Sequence, residues 1–376
     1  MRFRFDPEHD ELRSSLRKLL GEYAGVAGAQ RLESDPNGYD PALVRRLAEE
    51  VGIFALAVPE QFGGAGFGLL ELGVVFEEAG RALLCAPLLS ATAATQLLLN
   101  SGDDAACAAY LPGIAAGERI AAAALVEDDP ADLTAITTKA VPSGDGWALT
   151  GTKKYVLDAG AASLLLVTAA GPDGASLFTV DASAAGVEVV ASPSVDLTRR
   201  LYEVSLNAAP ATLIGANGDA AAGLTRTLDV LRTLLAAEQV GITGACLESA
   251  TAWAKEREQF GRAIGTFQSI KHKLANVALE QEAAVSASLM ALFAAQNAPA
   301  DLPSVARIAA YVCGEAALLA AQENIQVHGG MGATWEHPAH YYLRRAHLDR
   351  QLFGSARQHL EALAAHADAT VASTLS

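Results

Sequence analysis

The sequence predicts a mainly α-helical protein with an antiparallel β domain in the middle of the chain. Up to about residue 118, apolar residues recur at steps of three and four, which indicates helices. From about Ile120 to Ile214, short apolar runs alternate with Gly, Pro and Asp, which indicates strands. The helical period then returns in long segments. We therefore expect an N-terminal helical domain (1–118), a middle β domain (119–220) and a C-terminal four-helix bundle (221–376).

The first domain contains helical segments separated by a glycine-punctuated loop at residues 59–68, PEQFGGAGFG. The segments are DELRSSLRKLLGEY, DPALVRRLAEEVG and LLELGVVFEEAGRALL. The uncharged run 82–102 contains Pro87, Gln96 and Asn100, which make it too polar for a membrane span. We expect a buried helix there.

The middle domain is predicted from five strand-like runs: WALTGTKKYVL, ASLLLVTAA, ASLFTVDAS, GVEVVAS and LYEVSLN. The last domain is predicted from three long helical segments that start near residues 224, 269 and 304. Their length and periodicity are typical of a helical bundle.

Composition limits the classes of partner. The 376 residues are 51% hydrophobic and carry a net charge of -16, which argues against nucleic acid or an anionic membrane as the main partner. The four cysteines have no CxxC spacing, so we expect buried free thiols in a reducing compartment. The charged, periodic N-terminus is not a secretory signal, and a cytoplasmic location is expected.

The stretch 257–268, REQFGRAIGTFQ, interrupts two long helical segments with an arginine, a glutamine and two glycines. A guanidinium offers planar, charge-assisted donors to phosphate, and glycines allow close approach of backbone. A plainer alternative is a helix that ends at a glycine, with QVHGG at 326–330 as an ordinary turn.

Four motifs occur in order along the chain: LAVPEQFGGAGFGLLELGVVFEEAGRAL, LTGTKKYV, REQFGRAIGTFQSIKHKLA and IQVHGGMGATWEHPAHYYLRRA. With them the sequence resembles the acyl-CoA dehydrogenase superfamily over nearly its whole length. The resemblance implies the three-domain fold given above, FAD as cofactor, and oxidation of the α,β bond of an acyl-CoA thioester. It also implies that FAD lies across a dimer interface, with its ADP end on the bundle of the neighbouring subunit.

The resemblance assigns cofactor-binding roles to six residues. Arg257 would pair with the pyrophosphate, Gln259 would donate to it, and Phe260 would pack against the cofactor. From a second loop, the ADP portion would be held by Gln326, Gly329 and Gly330.

The catalytic base that the resemblance implies is missing. Phe353 occupies the usual glutamate position and Leu231 the alternative one, and neither side chain can accept a proton. Asp349 and Glu238 are nearby acids, interpreted as a solvated surface residue and a helix-interface residue. Catalysis therefore has no assigned residue in this chain.

Two further features bear on ligand binding. Asp229 and Arg232 match positions that contact CoA, or else form an i, i+3 ion pair on an exposed helix face. In the β domain, LVEDDPADL places Val126 where the family has a hydroxyl, and Tyr155, Val156 and Leu157 replace a Trp-Ile-Thr strip. We therefore expect the flavin-ring pocket of this chain to be dismantled.

A chain that keeps these cofactor-binding residues but has no catalytic base resembles the base-lacking subunit of heteromeric acyl-CoA dehydrogenases of sterol degradation. The hypothesis is a heterotetramer subunit that supplies the ADP-binding face of FAD to a partner with the catalytic glutamate. A self-sufficient dehydrogenase with an unusual base and a flavin-free scaffold remain alternatives. No metal is expected, because the histidines at 328, 337, 340 and 347 share no plausible ligand spacing with a carboxylate or cysteine.

Overall fold

The computed structural model describes residues 6–35, 37–127 and 136–375. Helices form the N-terminal part, and all of the residues from Leu88 to Leu98 are buried, which confirms the predicted buried helix. The six helices are α1 (Pro7–Tyr23), α2 (Gly25–Leu32), α3 (Pro41–Arg46), α4 (Leu69–Arg81), α5 (Leu88–Leu99) and α6 (Asp104–Ala115).

A seven-stranded sheet forms the middle of the chain. Its strands are β1 (Ala121–Ala124), β2 (Lys139–Ser143), β3 (Gly146–Leu157), β4 (Leu164–Gly171), β5 (Gly174–Asp181), β6 (Val187–Ser192) and β7 (Leu201–Ile214). The strand order is β1-β4-β2-β3-β7-β5, β6 pairs with β7, and β5 pairs also with β4, so the sheet curls back on itself. Five pairings are antiparallel and two, β1–β4 and β2–β4, are parallel. The predicted fold class is confirmed.

Long helices form the C-terminal part. They are α7 (Ala220–Glu256), α8 (Gln268–Asn297), α9 (Leu302–His328), α10 (Ala339–Asp349) and α11 (Ala356–Leu375), with a two-residue hairpin, β8 (Glu258–Gln259) and β9 (Arg262–Ala263), after α7. α7 is the central helix and packs against α4, α8 and α9. The four cysteines are buried and free, as expected.

Two glycines fix how the N-terminal helices meet the bundle. A Cβ at Gly241 of α7 would lie 1.8 Å from the carbonyl oxygen of Glu77, and one at Gly80 of α4 would lie 2.1 Å from that of Glu238. Any side chain at either position would force the helices apart. α4 and α7 therefore cross with their backbones in contact.

Three helical stretches, Ala220–Glu256, Gln268–Asn297 and Leu302–Ala333, are long and apolar enough to cross a membrane by length and composition. The fold buries 83% of the apolar window of the first of them, but only 33% of that of the second. α8 thus presents apolar surface that the described part of this chain does not cover, including Leu279 and Met290.

Candidate functional site

A cavity of about 520 Å³ lies where the β domain meets α5 and the end of α10. Three of the positions expected to surround a flavin ring, Val126, Tyr155 and Leu157, line it together with Phe353, the position of the missing base. The structure therefore brings these sequence-predicted positions to one place. These positions carry side chains other than those of the family, but a cavity remains between them.

The wall of this cavity is mostly hydrocarbon. Ala93, Leu125, Leu201 and Leu352 contribute to it, and the carbonyl oxygen of Val126 accepts a hydrogen bond of 2.9 Å from the backbone N–H of Lys154. Residues 128–133, the rest of the LVEDDPADL strip, lie outside the described residues.

Both base positions are occupied by hydrocarbon. Leu231 is fully buried in α7, and Phe353 has a left-handed φ of 60°. Arg232 holds the turn, since its Nε donates to the carbonyl oxygen of Phe353 over 2.8 Å. The geometry of a base loop is thus retained without a carboxylate.

The predicted ion pair between Asp229 and Arg232 is present, with 2.7 Å between Oδ1 and Nη1. The interpretation of an exposed helix face is wrong, because both side chains are buried and Arg232 reaches across to the turn after α10. A contact of this pair with CoA stays a prediction.

Neither Asp349 nor Glu238 lines the cavity. Both are buried, at 1% and 2% exposure, in an ion cluster between α7, α10 and the segment before β7. The interpretation of Asp349 as a solvated surface residue is therefore wrong, because α10 turns it inward one helical turn after Arg345.

The sequence interpretation missed two proton-accepting groups that line the cavity, Asp196 and His347. Oδ1 of Asp196 accepts from the backbone N–H and the hydroxyl of Thr198, at 2.8 and 2.6 Å. His347 is exposed at the mouth, beside Gln351. In the sequence, His347 lies four residues before Gln351, a spacing that can place two side chains on the same face of a helix. No sequence pattern pointed to Asp196.

The ion cluster contains three carboxylates and two guanidiniums: Glu238, Asp196, Asp349, Arg199 and Arg345. Arg345 contacts Glu238 at 2.6 Å and Asp196 at 3.0 Å. Arg199 contacts Glu238 and lies 3.3 Å from Asp349. The cluster therefore has one carboxylate more than it has cations.

Protonation of Asp349 removes this excess negative charge. Burial raises the pKa of Asp349 to about 8, with Arg199 opposing and Glu238 adding to the shift, and neither of its oxygens has a hydrogen-bond partner. Burial also acts against ionised Glu238, but Arg199 and Arg345 together hold the pKa of Glu238 below its ordinary value. Asp349 is the neutral member of the cluster at pH 7.

The protonation of Asp349 gives the first prediction. Its pKa is about 8 in the folded state and about 3.9 in an unfolded chain, so the folded state binds the extra proton and loses stability as pH rises from about 4 through 8. Asp349→Asn cannot ionise, and its melting temperature relative to the native chain should rise between pH 5 and pH 9. Asp145→Asn, on the exposed turn between β2 and β3, is the matched control. A relative melting temperature that stays flat would show that Asp349 is ionised throughout.

A second group of predicted residues lies at the far end of α7. α7 ends at Glu256, Arg257 is extended, and Phe260 and Gly261 form the turn of the β8–β9 hairpin with φ of 55° and 75°. A helix ending at a glycine is therefore the wrong description of this stretch. Phe260 is 92% exposed, which is unusual for a large apolar side chain.

Arg257 is exposed and forms no ion pair with any residue that the structure describes. Its guanidinium lies 5.8 Å from the ring centre of Trp253, which stacks on His328 at 5.3 Å. This stack joins the end of α7 to the end of α9, where the second predicted strip lies.

In that strip, Gln326 lies in the last turn of α9 and Gly329 ends the helix with a φ of 65°. A Cβ built at Gly329 or Gly330 meets no atom within 4 Å, so both face open space. We call Arg257, Gln259, Phe260, Gln326, Gly329 and Gly330 the Arg257 surface. Its guanidinium, amides and exposed backbone fit the donor set that a diphosphate requires.

The cavity and the Arg257 surface cannot serve one cofactor from the same chain. Arg232 contacts the turn that lines the cavity, and with a rise of about 1.5 Å per residue along α7, Arg257 lies about 38 Å away. That separation exceeds the reach of one dinucleotide.

Three of the four histidines predicted not to bind metal lie in aromatic contacts. His328 packs 4.4 Å from His337, and His340 stacks on Trp335 at 4.8 Å. Within residues 6–35, 37–127 and 136–375, no group of three or more His, Cys, Asp or Glu side chains is arranged to hold a metal ion.

Comparison with protein families matches residues 6–118 to the acyl-CoA dehydrogenase N-terminal domain and residues 222–367 to the acyl-CoA dehydrogenase C-terminal domain. The chain belongs to the acyl-CoA dehydrogenase family. Acyl-CoA dehydrogenases use FAD, so the two regions described above are the parts of this fold from which cofactor binding is expected.

Among relatives, the acyl-CoA dehydrogenase IpdE2 of Mycolicibacterium smegmatis is 33% identical over 95% of this chain and 98% of its own length. A solved variant of the Tcur3481-Tcur3483 steroid ACAD is 35% identical, with a TM-score of 0.89 over 97% of this chain and 99% of that one. A chain of the ChsE4-ChsE5 complex from Mycobacterium tuberculosis is 27% identical, with a TM-score of 0.88 over 98% of this chain and 99% of that one. This acyl-CoA dehydrogenase is thus similar to members that are described as complexes of two components.

Proposed function

We propose that this chain is the non-catalytic subunit of a heteromeric acyl-CoA dehydrogenase, and that it supplies the ADP-binding face for an FAD held mainly by its partner. One observation carries the proposal. The cavity that should hold a base and a flavin ring has Phe353 and hydrocarbon walls, while the Arg257 surface at the other end of α7 keeps exposed phosphate donors.

When bound, FAD supplies the hydride acceptor for oxidation of the α,β bond. This chain's part is to hold the cofactor. The planar guanidinium of Arg257 would pair with the diphosphate, Gln259 and the backbone at Gly329 and Gly330 would donate to the ADP portion, and Phe260 would pack against it. The Trp253–His328 stack keeps the two strips together. The partner's glutamate takes the α proton, because no side chain at either base position here can.

The packing supports a partner of the same family. Only a third of the apolar window of α8 is buried in this chain, and Leu279 and Met290 on it are exposed. A second four-helix bundle offers the complementary apolar face, and the Tcur3481-Tcur3483 and ChsE4-ChsE5 neighbours are themselves two-component. We therefore propose a heterotetramer.

The same relatives suggest the substrate class. The Tcur3481-Tcur3483 neighbour is named as a steroid ACAD and is 35% identical to this chain. We propose an acyl-CoA thioester with a bulky, ring-containing acyl group, handled in a steroid-degrading pathway in the cytoplasm.

The test is purification of this chain alone and together with a co-expressed family member that keeps the glutamate. The chain alone should contain little flavin and should not reduce a dye acceptor with acyl-CoA. The complex should contain one FAD per pair of unlike chains and should turn over. Desaturation by the homogeneous chain alone would refute the assignment as a non-catalytic subunit.

Introducing a carboxylate at position 353, the usual position of the base, gives a second prediction. Phe353→Glu places an acid in the turn that Arg232 holds, but Val126, Tyr155 and Leu157 still replace the family's flavin-ring residues. We expect the variant, purified alone, to stay colourless and inactive in the dye assay, like the isosteric control Phe353→Gln. Turnover by Phe353→Glu would show that this cavity accepts flavin after all.

One observation favours a second candidate, a self-sufficient dehydrogenase with an unusual base. His347 lines the mouth of the cavity and carries an imidazole that can accept a proton. This candidate requires flavin in the chain purified alone and loss of turnover in His347→Gln. A flavin-free scaffold has no observation in its favour.

A further inference from the structure

The cavity behind Phe353 is large for a site that has lost its chemistry. Its volume of about 520 Å³ falls within the range of pockets that bind small molecules, roughly 300–1,000 Å³. Protein interiors are otherwise close-packed, so a cavity of this size with mostly apolar walls is a candidate ligand site.

The described walls do not suit a flavin ring. The pyrimidine edge of a flavin carries carbonyl and N–H groups that must be hydrogen-bonded when buried, at a cost of about 1–3 kcal/mol for each one left unpaired. Here Val126 has no side-chain hydroxyl, and its carbonyl oxygen already accepts from Lys154. Oδ1 of Asp196 is likewise engaged by Thr198.

The same walls suit a hydrocarbon. Ala93, Leu125, Leu201 and Leu352 line the interior, whereas His347 and Gln351 are exposed at the mouth. A molecule with an apolar body and one polar end would place the body inside and the carboxylate or thioester at those two side chains.

We propose that this cavity is a second, non-reacting binding site for the hydrocarbon body of a lipid carboxylic acid or its thioester. The inference rests on the proposed function, in which the reacting site lies in the partner. Because Phe353 and Leu231 cannot take a proton, a ligand held here is bound but not oxidised. The complex would then contain one reacting and one binding-only site per pair of unlike chains.

The experiment titrates the co-expressed complex with pyrenebutyrate, a fluorescent fused-ring carboxylate, and measures its FAD content by absorbance. We expect two probes bound per pair of unlike chains, one in this cavity and one in the partner's reacting site. Pyrenebutyrate titration of this chain alone should give one probe per chain. Competition with a steroid carboxylate and with a straight-chain fatty acid identifies which hydrocarbon body fits.

A cavity-filling variant supplies the third prediction. Ala93→Phe projects a ring into the cavity from α5 and should raise the Kd for pyrenebutyrate by about tenfold or more. FAD content should stay at one per pair. The control is Ala109→Phe, the same change at an exposed position of α6. If Ala93→Phe does not fold, Ala123→Leu in β1 tests the same wall.

The outcomes separate the two proposals. Loss of FAD in Arg257→Ala with pyrenebutyrate binding unchanged supports both. Absence of saturable pyrenebutyrate binding, or binding unaffected by a folded Ala93→Phe chain, overturns the cavity inference and leaves the proposed function standing. Two FAD per pair, with FAD displacing the probe, overturns both.

Discussion

Arg257→Ala is expected to remove FAD from the complex with a catalytic partner. A charge-assisted hydrogen bond contributes about 1.5–3 kcal/mol, so losing the guanidinium should weaken FAD binding roughly 10- to 150-fold. Arg257 is exposed and has no ion-pair partner in the described chain, so the loss should come from the ligand and not from the fold. The measurements are FAD content after gel filtration and the FAD concentration that gives half-maximal activity.

Two variants make this result specific. Arg257→Lys keeps the charge but not the planar fork, and it should lie between the native chain and alanine. Arg357→Ala removes an exposed arginine whose only described ion pair is a surface contact with Glu361 on α11, and FAD content should not change. Full FAD retention in Arg257→Ala would remove the cofactor role of the whole Arg257 surface.

The strands of the β domain show which elements can be predicted from the periodicity of the sequence. β3 to β7 carry branched and aromatic residues in short runs, and all five were predicted. β1 is four alanines and β2 contains Pro142, so neither has a strand pattern. β1 is a strand because its parallel pairing with β4 and its packing against α5 override the helical preference of alanine.

The resemblance identified residues that surround the cavity, but it did not predict the volume of the cavity. It pointed to Val126, Tyr155 and Phe353, and these do meet at one cavity. It also led us to expect a dismantled pocket, whereas the cavity is open. Volume depends on residues distant in sequence, here Ala93 on α5 and Leu201 on β7, which both line the cavity. No local sequence pattern predicts the volume that these residues leave between them.

The ion cluster was missed for a related reason. Asp349 lies in sequence among Arg344, Arg345 and Arg350, which is typical of a solvated face. Helical spacing was the available signal, since Tyr341, Arg345 and Asp349 recur at steps of four and all point into the core. Their partners Glu238 and Asp196 come from α7 and from the β domain, so only the tertiary structure shows why charges occupy a buried stripe.

Arg345→Met is expected to have the largest effect on stability. Arg345 donates to the carboxylate of Glu238, to the hydroxyl and carbonyl oxygens of Thr198 at 2.8 and 3.1 Å, and to the carbonyl oxygen of Leu84, and it forms an ion pair with Asp196 at 3.0 Å. It therefore ties α10 to α7, to the segment before β7 and to the linker after α4. Removing one partner of a buried ion pair costs about 3–5 kcal/mol, because the remaining charge stays buried and uncompensated.

The measurement is the free energy of unfolding by denaturant, compared with Arg344→Met. Arg344 is the neighbouring arginine, with one hydrogen bond to the carbonyl oxygen of Val195 near the surface, so its loss should cost about 1 kcal/mol or less. Adding Glu238→Gln to Arg345→Met should recover part of the loss, since it removes one of the stranded charges. If the double variant is no more stable than Arg345→Met, uncompensated charge is not the cause. The cost would then lie in the packing of the side chain that connects the three domains.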